Sequence, residues 1–343
     1  MGIFYSNNDL VGIDVGASAV RLVQLKKSGG NPSLVAFGSA QLPPNIAQSD
    51  SKLDQQKVAE IIKRLVKSSN VSTKFVNTSL PGSTVFSTII ALPPMSQADL
   101  AQAVRYQAEQ NIPLKIDDVK IDWQIVRENP ITKEKAVMII AAPRAKTQKV
   151  MELFEMADLD VVCLETSSIA IARALSVPSE PLIMVLNLGA SATEITIIEN
   201  GIVSHVRNLP IGGTALTRVI SRELGLDNTQ AEQFKMRFGL SQDKLEGQVY
   251  KTIKPLIENI IDEIQRSIKY YNNQFGGDVK KILLTGGTAR LPEIISCFKS
   301  ELNIEVVYGN AWGKINFQPS LSEKLNETNF EFACAVGLAM GEA

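Results

Sequence analysis

The chain has 343 residues, 45% hydrophobic and 21% charged, with a formal net charge of −1, enough for two soluble domains with sizeable cores. Near-neutral charge removes the electrostatic case for nucleic acid or an anionic membrane surface as partner. Three scattered cysteines (Cys163, Cys297, Cys334) and one histidine (His205) argue against a disulfide or C-x-x-C framework and against any mechanism needing two histidines, and favour a reducing cytoplasm. The cysteines are expected in the core and His205 on a strand surface.

At the N-terminus, MGIFYSNNDL lacks the charged and long apolar regions of a signal peptide, although Met1-Gly2 with Ser6 formally fits a myristoylation pattern. No apolar run approaches the roughly 18 residues of a membrane span. VGIDVGASAVRLVQL (11–25) then reads as strand, Gly-Ala-Ser turn and returning strand. An aspartate closing an apolar run is costly to bury without compensation, and small neighbours let a ligand approach the backbone. A phosphate with Mg2+ would explain it; so would an ordinary tight hairpin.

A strand SLVAFGSAQLP is followed by a helix with Val58, Ile61, Ile62, Leu65 and Val66 at helical spacing, then the strand KFVNTSLPG. Between about Ser83 and Asp160 the texture changes. A Pro-Pro break precedes a helix opened by Ser96, an alternating strand VKIDWQIVR, a turn at Asn129-Pro130, a buried strand AVMIIAAP and a helix RAKTQKVMELFEMA. This stretch has no equivalent later in the chain and reads as a small α+β insertion. DVVCLETSSIAIARAL reads as strand then helix. Beyond it come a second hairpin, IGGTALTRVISREL, a short helix NTQAEQFKMRF stopped by Gly239, and a long helix around KPLIENIIDEIQRSIKYY with an inward stripe of Ile257, Ile260, Ile261, Ile264, Ile268 and Tyr271.

That second hairpin, LIMVLNLGASATEITII (182–198), repeats the first: Asn187 aligns with Asp14, and Gly189-Ala190-Ser191-Ala192 repeats Gly16-Ala17-Ser18-Ala19, an offset of 173 residues from 14 to 187. KFVNTSLPGST (74–84) and KKILLTGGTAR (280–290) echo each other in the same order. Self-similarity at half the chain length is an architectural signal. It predicts two related α/β domains whose Gly-rich hairpins face each other across a cleft.

The start GIDVGASAVRLVQL, the stretches RYQAEQNIPLKIDDVKIDWQIV and VVCLETSSIAIARAL, and the segments LPIGGTALT and ILLTGGTARLP in this order resemble the actin-like ATPase superfamily. Within it the chain resembles the PilM family of type IV pilus assembly proteins, relatives of the FtsA cell-division family, over almost its whole length. FtsA's C-terminal membrane-targeting helix has no counterpart here; FACAVGLAMGEA resembles only the connecting helix.

The resemblance implies an actin-like ATPase fold: a first domain from residues 1–82, an inserted α+β subdomain 83–160, a return with connecting helix 161–178, a second domain 179–328 and a C-terminal connecting helix 329–343. It implies ATP with Mg2+ in the cleft. Asp14, Gly16, Ala17 and Ser18 match the first phosphate hairpin, with Arg21 facing the phosphates; Asn187, Gly189, Ala190, Ser191 and Thr193 match the second. Gly286, Gly287 and Thr288 match the adenosine segment, Glu232 and Lys235 positions that contact ribose or adenine, and Glu165 the position that orients the attacking water. Asp14 and Asn187 are the implied Mg2+ positions, acting through water. Plain structural readings stand beside these: Arg21 and Lys235 as solvated surface charges, Glu165 as a cap for the following helix, Gly286-Gly287 as a turn. Asn187, where many superfamily members carry an acid, supplies no charge for the ion, so slow or silent hydrolysis is expected.

The family's role implies a cytoplasmic platform at the inner membrane. It binds the N-terminal cytoplasmic tail of the membrane protein PilN in a groove between the first domain and the insertion, and links the membrane complex to the assembly motor ATPase; an oligomer is compatible with it. Ile89, Leu92, Tyr106, Ile112 and Leu114 are candidate groove anchors, and equally candidates for the insertion's own core. The rival expectations are a small-metabolite kinase and an FtsA-like polymerising protein.

Overall fold

The computed structural model describes residues 10–27 and 30–341; the Met1-Gly2 pattern lies outside them. Two five-stranded sheets follow the same path. The first comprises β1 (Val11–Val15), β2 (Ala19–Lys26), β3 (Ser33–Gln41), β4 (Phe75–Leu80) and β8 (Asp160–Thr166), in the order β3-β2-β1-β4-β8. The second comprises β9 (Leu182–Leu188), β10 (Thr193–Glu199), β11 (Ile202–Leu209), β12 (Lys281–Thr285) and β13 (Glu305–Tyr308), in the order β11-β10-β9-β12-β13. In each sheet a central strand turns back through a hairpin on one side and pairs parallel with the echoed lysine-led strand on the other.

Strand alternation sends each sheet's apolar residues to two cores. Val11 and Ile13 of β1 face α1 (Lys52–Ser68), while Met184, Leu186 and Leu188 of β9 face α7 (Gln248–Phe275). The opposite faces, through Val23, Leu25, Ile183 and Val185, meet a shared core with α4 (Ser167–Leu175) and α10 (Ala333–Met340). These two helices cross between the sheets at very short range: a methyl group on Gly337 would lie 1.8 Å from the Ala170 carbonyl oxygen.

The insertion is a three-stranded sheet, β5 (Phe86–Leu92), β7 (Lys135–Pro143) and β6 (Val119–Glu128), in that order, covered by α2 (Gln97–Asn111). Ser96 caps α2 by accepting from the Asp99 backbone N–H at 3.2 Å. The apolar run of β7 is buried on both faces: Val137, Ile139 and Ala141 pack under α2, and Met138 and Ile140 join the shared core with Ile202 and Val206 of β11.

Several expectations need correction. α3 (Arg144–Met156), read as part of the insertion, packs with the first half, where Phe154 is fully buried beside Val58 and Ile62. The long helix α7 starts at Gln248, so Pro255 lies inside it; the early turns are anchored by buried Val249 and Ile253, which offset the lost hydrogen bond. His205 is half-buried and not a fully exposed strand residue: its ring packs 5.1 Å from Tyr270, its Nε2 has no partner among the described residues, and burial, then Arg207, pushes its pKa down to about 4. Cys163 and Cys297 are only half-buried.

Candidate functional site

The two hairpins close with the same geometry. Gly16 N–H donates to the Ala19 carbonyl and Gly189 N–H to the Ala192 carbonyl, each at 3.0 Å. Asp14 faces Arg21 across the first hairpin, and Asn187 faces Glu194 across the second. Both turns line one cavity of ≈ 310 Å³ between the halves, together with Gly286 and Gly287. Gly286 adopts φ +88°, and a side chain there would lie 2.5 Å from the Leu188 carbonyl oxygen, so the turn after β12 can sit against the second hairpin only as glycine.

Asp14, Gly16, Ala17, Ser18, Arg21, Asn187, Gly189, Ala190, Ser191, Gly286 and Gly287 are thus brought to one cleft. The other candidates are not among its lining. Thr193 is buried and its hydroxyl donates to the Ile211 carbonyl at 2.7 Å, so it holds a loop in place. Thr288 donates to the Gly189 carbonyl at 2.9 Å, tying the turn after β12 to the second hairpin.

Lys235, on α6 (Asn228–Phe238), is 4% exposed rather than solvated, and its ammonium donates to Glu232, Thr217 and the Gly213 carbonyl. Burial pushes its pKa down, opposed by Glu232. The cluster adjoins Thr288 through Gly213. Its donors are spent internally.

Glu165 departs furthest from expectation. Both its oxygens are held at 2.7 Å by Arg173 of α4, whose guanidinium also donates to the Gly337 carbonyl. The bidentate pair ties β8, α4 and α10 together and turns the carboxylate to a structural task.

Glu194 is the acid that sequence reasoning missed. It is 5% exposed, lines the cleft and accepts from Ser167 Oγ at 3.1 and 3.3 Å, and a methyl on Gly82 would collide with it at 1.9 Å. Burial raises its pKa to about 7, Asp14 adding to the rise while Ser167 and the Gly82 N–H oppose it. Its signal was present: Glu194 stands to Arg21 at the same 173-residue offset as Asn187 to Asp14. Asp14 also has a raised pKa from burial, with Arg21, Cys334 and Ser79 pulling the other way. Cys334, expected as plain core, lies 3.5 Å from Ser79 Oγ and lines the cleft.

Of the groove candidates, Leu92 and Ile112 are 5% exposed in the insertion's own core. Ile89 faces the shared core because it pairs with Met138 on the face opposite α2. Only Tyr106 and Leu114, 59% and 44% exposed, are available at the surface. An apolar wall does exist elsewhere: the cleft cavity is continued by Ile46, Val58, Val150, Leu153 and Phe154, with Lys146 and Gln55 also lining it.

Among the described residues no group of three or more His, Cys, Asp or Glu side chains gathers to hold a metal, and no helix is long and apolar enough to cross a membrane.

Duplicated sheets, facing hairpins and two crossing helices between them define an α/β protein of the actin-like ATPase fold. The ethanolamine utilization protein EutJ from Carboxydothermus hydrogenoformans shares it at TM-score 0.57 and 19% identity, covering 96% of this chain and 88% of that one. MreB5 of Spiroplasma citri bound to ADP does so at TM-score 0.57 and 11% identity, covering 96% and 95%. The chain belongs to the type IV pilus assembly protein PilM family, whose model matches residues 12–343. It is similar to a chain of a PilM-PilN type IV pilus biogenesis complex at TM-score 0.83 and 28% identity, covering 97% of this chain and 98% of that one. Cell division protein FtsA of Neisseria meningitidis serogroup B is 25% identical over 167 residues, 45% of this chain; the match spans 40% of FtsA's length.

Proposed function

We propose that this chain is a cytoplasmic ATP-binding scaffold of the type IV pilus assembly machinery, which binds the N-terminal cytoplasmic tail of PilN and links the inner-membrane complex to the assembly motor. The observation that carries the reading is the likeness, over nearly the whole of both chains, to a chain of a PilM-PilN complex. Family membership favours it over the kinase and filament readings. Its place at the membrane would come from its partner.

The cleft supports nucleotide binding. Short side chains at 16–18 and 189–191 let a polyphosphate approach both hairpins, and Arg21 supplies a guanidinium beside them. Mg2+ typically takes one or two carboxylates together with phosphates and water. Asp14 and the buried Glu194, whose ionisation Asp14 makes costlier, fit that requirement. Asp14 and Asn187 would hold the ion through water. The ion would neutralise phosphate charge; Asn187 adds an acceptor without charge.

Glu165, engaged by Arg173, does not line the cleft. That supports binding with at most slow hydrolysis, because phosphoryl transfer needs an oriented nucleophile. The tail would lie along the part-exposed Val150 and Leu153 of α3, beside α1, where the cavity continues away from the hairpins. Buried apolar anchors there would offset the tail's ordering entropy.

Calorimetric titration of a synthetic PilN-tail peptide into the purified protein, with and without Mg-ATP, tests the scaffold. Saturable binding is expected. No binding to folded protein in either condition would sink it.

A further inference from the structure

We propose that Glu331 is an internal anion of the cleft: its carboxylate occupies Arg21, and a nucleotide phosphate that engages Arg21 must displace it. The inference rests on the nucleotide reading above. Glu331 lines the cleft, and its two oxygens bind two guanidinium groups from opposite halves, Oε2 with Arg21 at 2.8 Å and Oε1 with Arg290 at 2.7 Å. Arg21 lies on β2 of the first sheet; Arg290 ends the turn after β12 of the second. The carboxylate therefore bridges the cleft.

Three features make Glu331 an exchangeable occupant and not a fixed strut. Arg21 and Glu331 side chains are 11% and 13% exposed, a setting in which a guanidinium requires an anion. Arg21 Nε is buried with no acceptor among the described residues, so the carboxylate leaves part of the fork unused. A phosphate, with more acceptor oxygens in a matching arrangement, can serve that donor as well.

The backbone carrying Glu331 is pinned independently of the ion pairs. The Phe330 carbonyl accepts from Gly286 N–H at 2.9 Å and from the Thr285 hydroxyl, and the Phe330 ring stacks on Tyr308 at 4.9 Å. Displacement thus needs only side-chain torsions of Glu331 to change. Arg290, 42% exposed, keeps the displaced carboxylate partnered.

The charge balance gives the sign of the effect. Glu331 cancels the cation that the phosphates would meet, next to two further acids, Asp14 and Glu194. If the bridge is closed about nine-tenths of the time, apparent nucleotide affinity is lowered about tenfold. Arg290 partners Glu331 once it leaves Arg21, so removing Arg290 strips the displaced carboxylate of its cation and strengthens the internal competitor.

The experiment is isothermal titration of Mg-ATP and of inorganic tripolyphosphate into the wild-type chain, Glu331→Gln and Arg290→Gln, with thermal melts as a fold check. Tripolyphosphate removes contacts to the base. Glu331→Gln is expected to tighten both ligands about tenfold, and Arg290→Gln to weaken tripolyphosphate severalfold, whereas residues with a merely structural role would weaken binding in both variants. Unchanged or weaker binding by folded Glu331→Gln, with wild type still binding, overturns the exchange and leaves the nucleotide reading intact. If Glu331→Gln does not fold, unchanged or tighter tripolyphosphate binding by Arg290→Gln overturns the exchange. Failure of every folded chain to bind either ligand overturns both.

Discussion

Ser167 of α4 and Glu194 of β10 meet across the floor of the cleft, the serine hydroxyl donating to the carboxylate at 3.1 Å. One belongs to the first half of the chain and the other to the second. Their contact joins a buried acid to the helix that crosses between the sheets.

The pH dependence of stability follows from that acid. The carboxyl of Glu194 rises from 4.5 to about 7 in the fold, so the native state holds a proton that the unfolded chain releases. Its contribution is fully present below pH 4.5 and is lost as pH rises to about 7, a change on the order of 3 kcal/mol. His205 acts oppositely, because its pKa falls from 6.5 to about 4 and its neutral form loses stability as pH drops through that window. The two partly cancel. Urea unfolding of wild type and Glu194→Gln at pH 5 and pH 8 isolates the acid: the variant gains on wild type as pH rises, and a pH-independent difference would contradict the assignment.

Asp14→Ala is expected to abolish Mg-ATP binding while leaving the fold intact, since Asp14 closes β1 at the cleft and pays a desolvation cost that its neighbours only partly relieve. Calorimetry decides; unchanged affinity would remove Asp14 from the site.

Glu165 is expected to matter for stability and not for turnover. Arg173→Ala leaves a mostly buried carboxylate unpaired and costs about 2 kcal/mol. Glu165→Gln lowers the unfolding midpoint but leaves any slow phosphate release unchanged. A phosphate-release assay that fell to background in Glu165→Gln would restore the water-orienting role.

Gly337→Ala places a methyl 1.8 Å from the Ala170 carbonyl oxygen, where the obstacle is backbone and cannot swing aside. The cost is about 3 kcal/mol. Denaturant melts measure it, and a loss below the scatter of surface substitutions would mean that the crossing helices separate freely.

For the tail, Val150→Glu puts a charge on the proposed apolar wall and should remove peptide binding, whereas Tyr106→Ala should leave it unchanged. The reverse pattern would move the tail to the exposed face of α2.

Local residue choice determined much of this protein. Ser96 caps α2 and Gly239 ends α6 where the sequence says they do. The repeat from Asp14 to Asn187 corresponds to two sheets of identical order, because strand pairing follows alternation and turn chemistry that are written locally. Glu165, Leu92, Ile112, Thr193 and Lys235 are different. Whether such a side chain reaches a ligand or a neighbour depends on which other element the fold packs against it, and here Arg173 of the next helix, the α2 core, Ile211 and Thr217 supplied the partners. The cleft's own charge network was decided the same way: Arg21 and Glu331 are 310 positions apart, and only the return of α10 between the sheets brings them within an ion pair's reach.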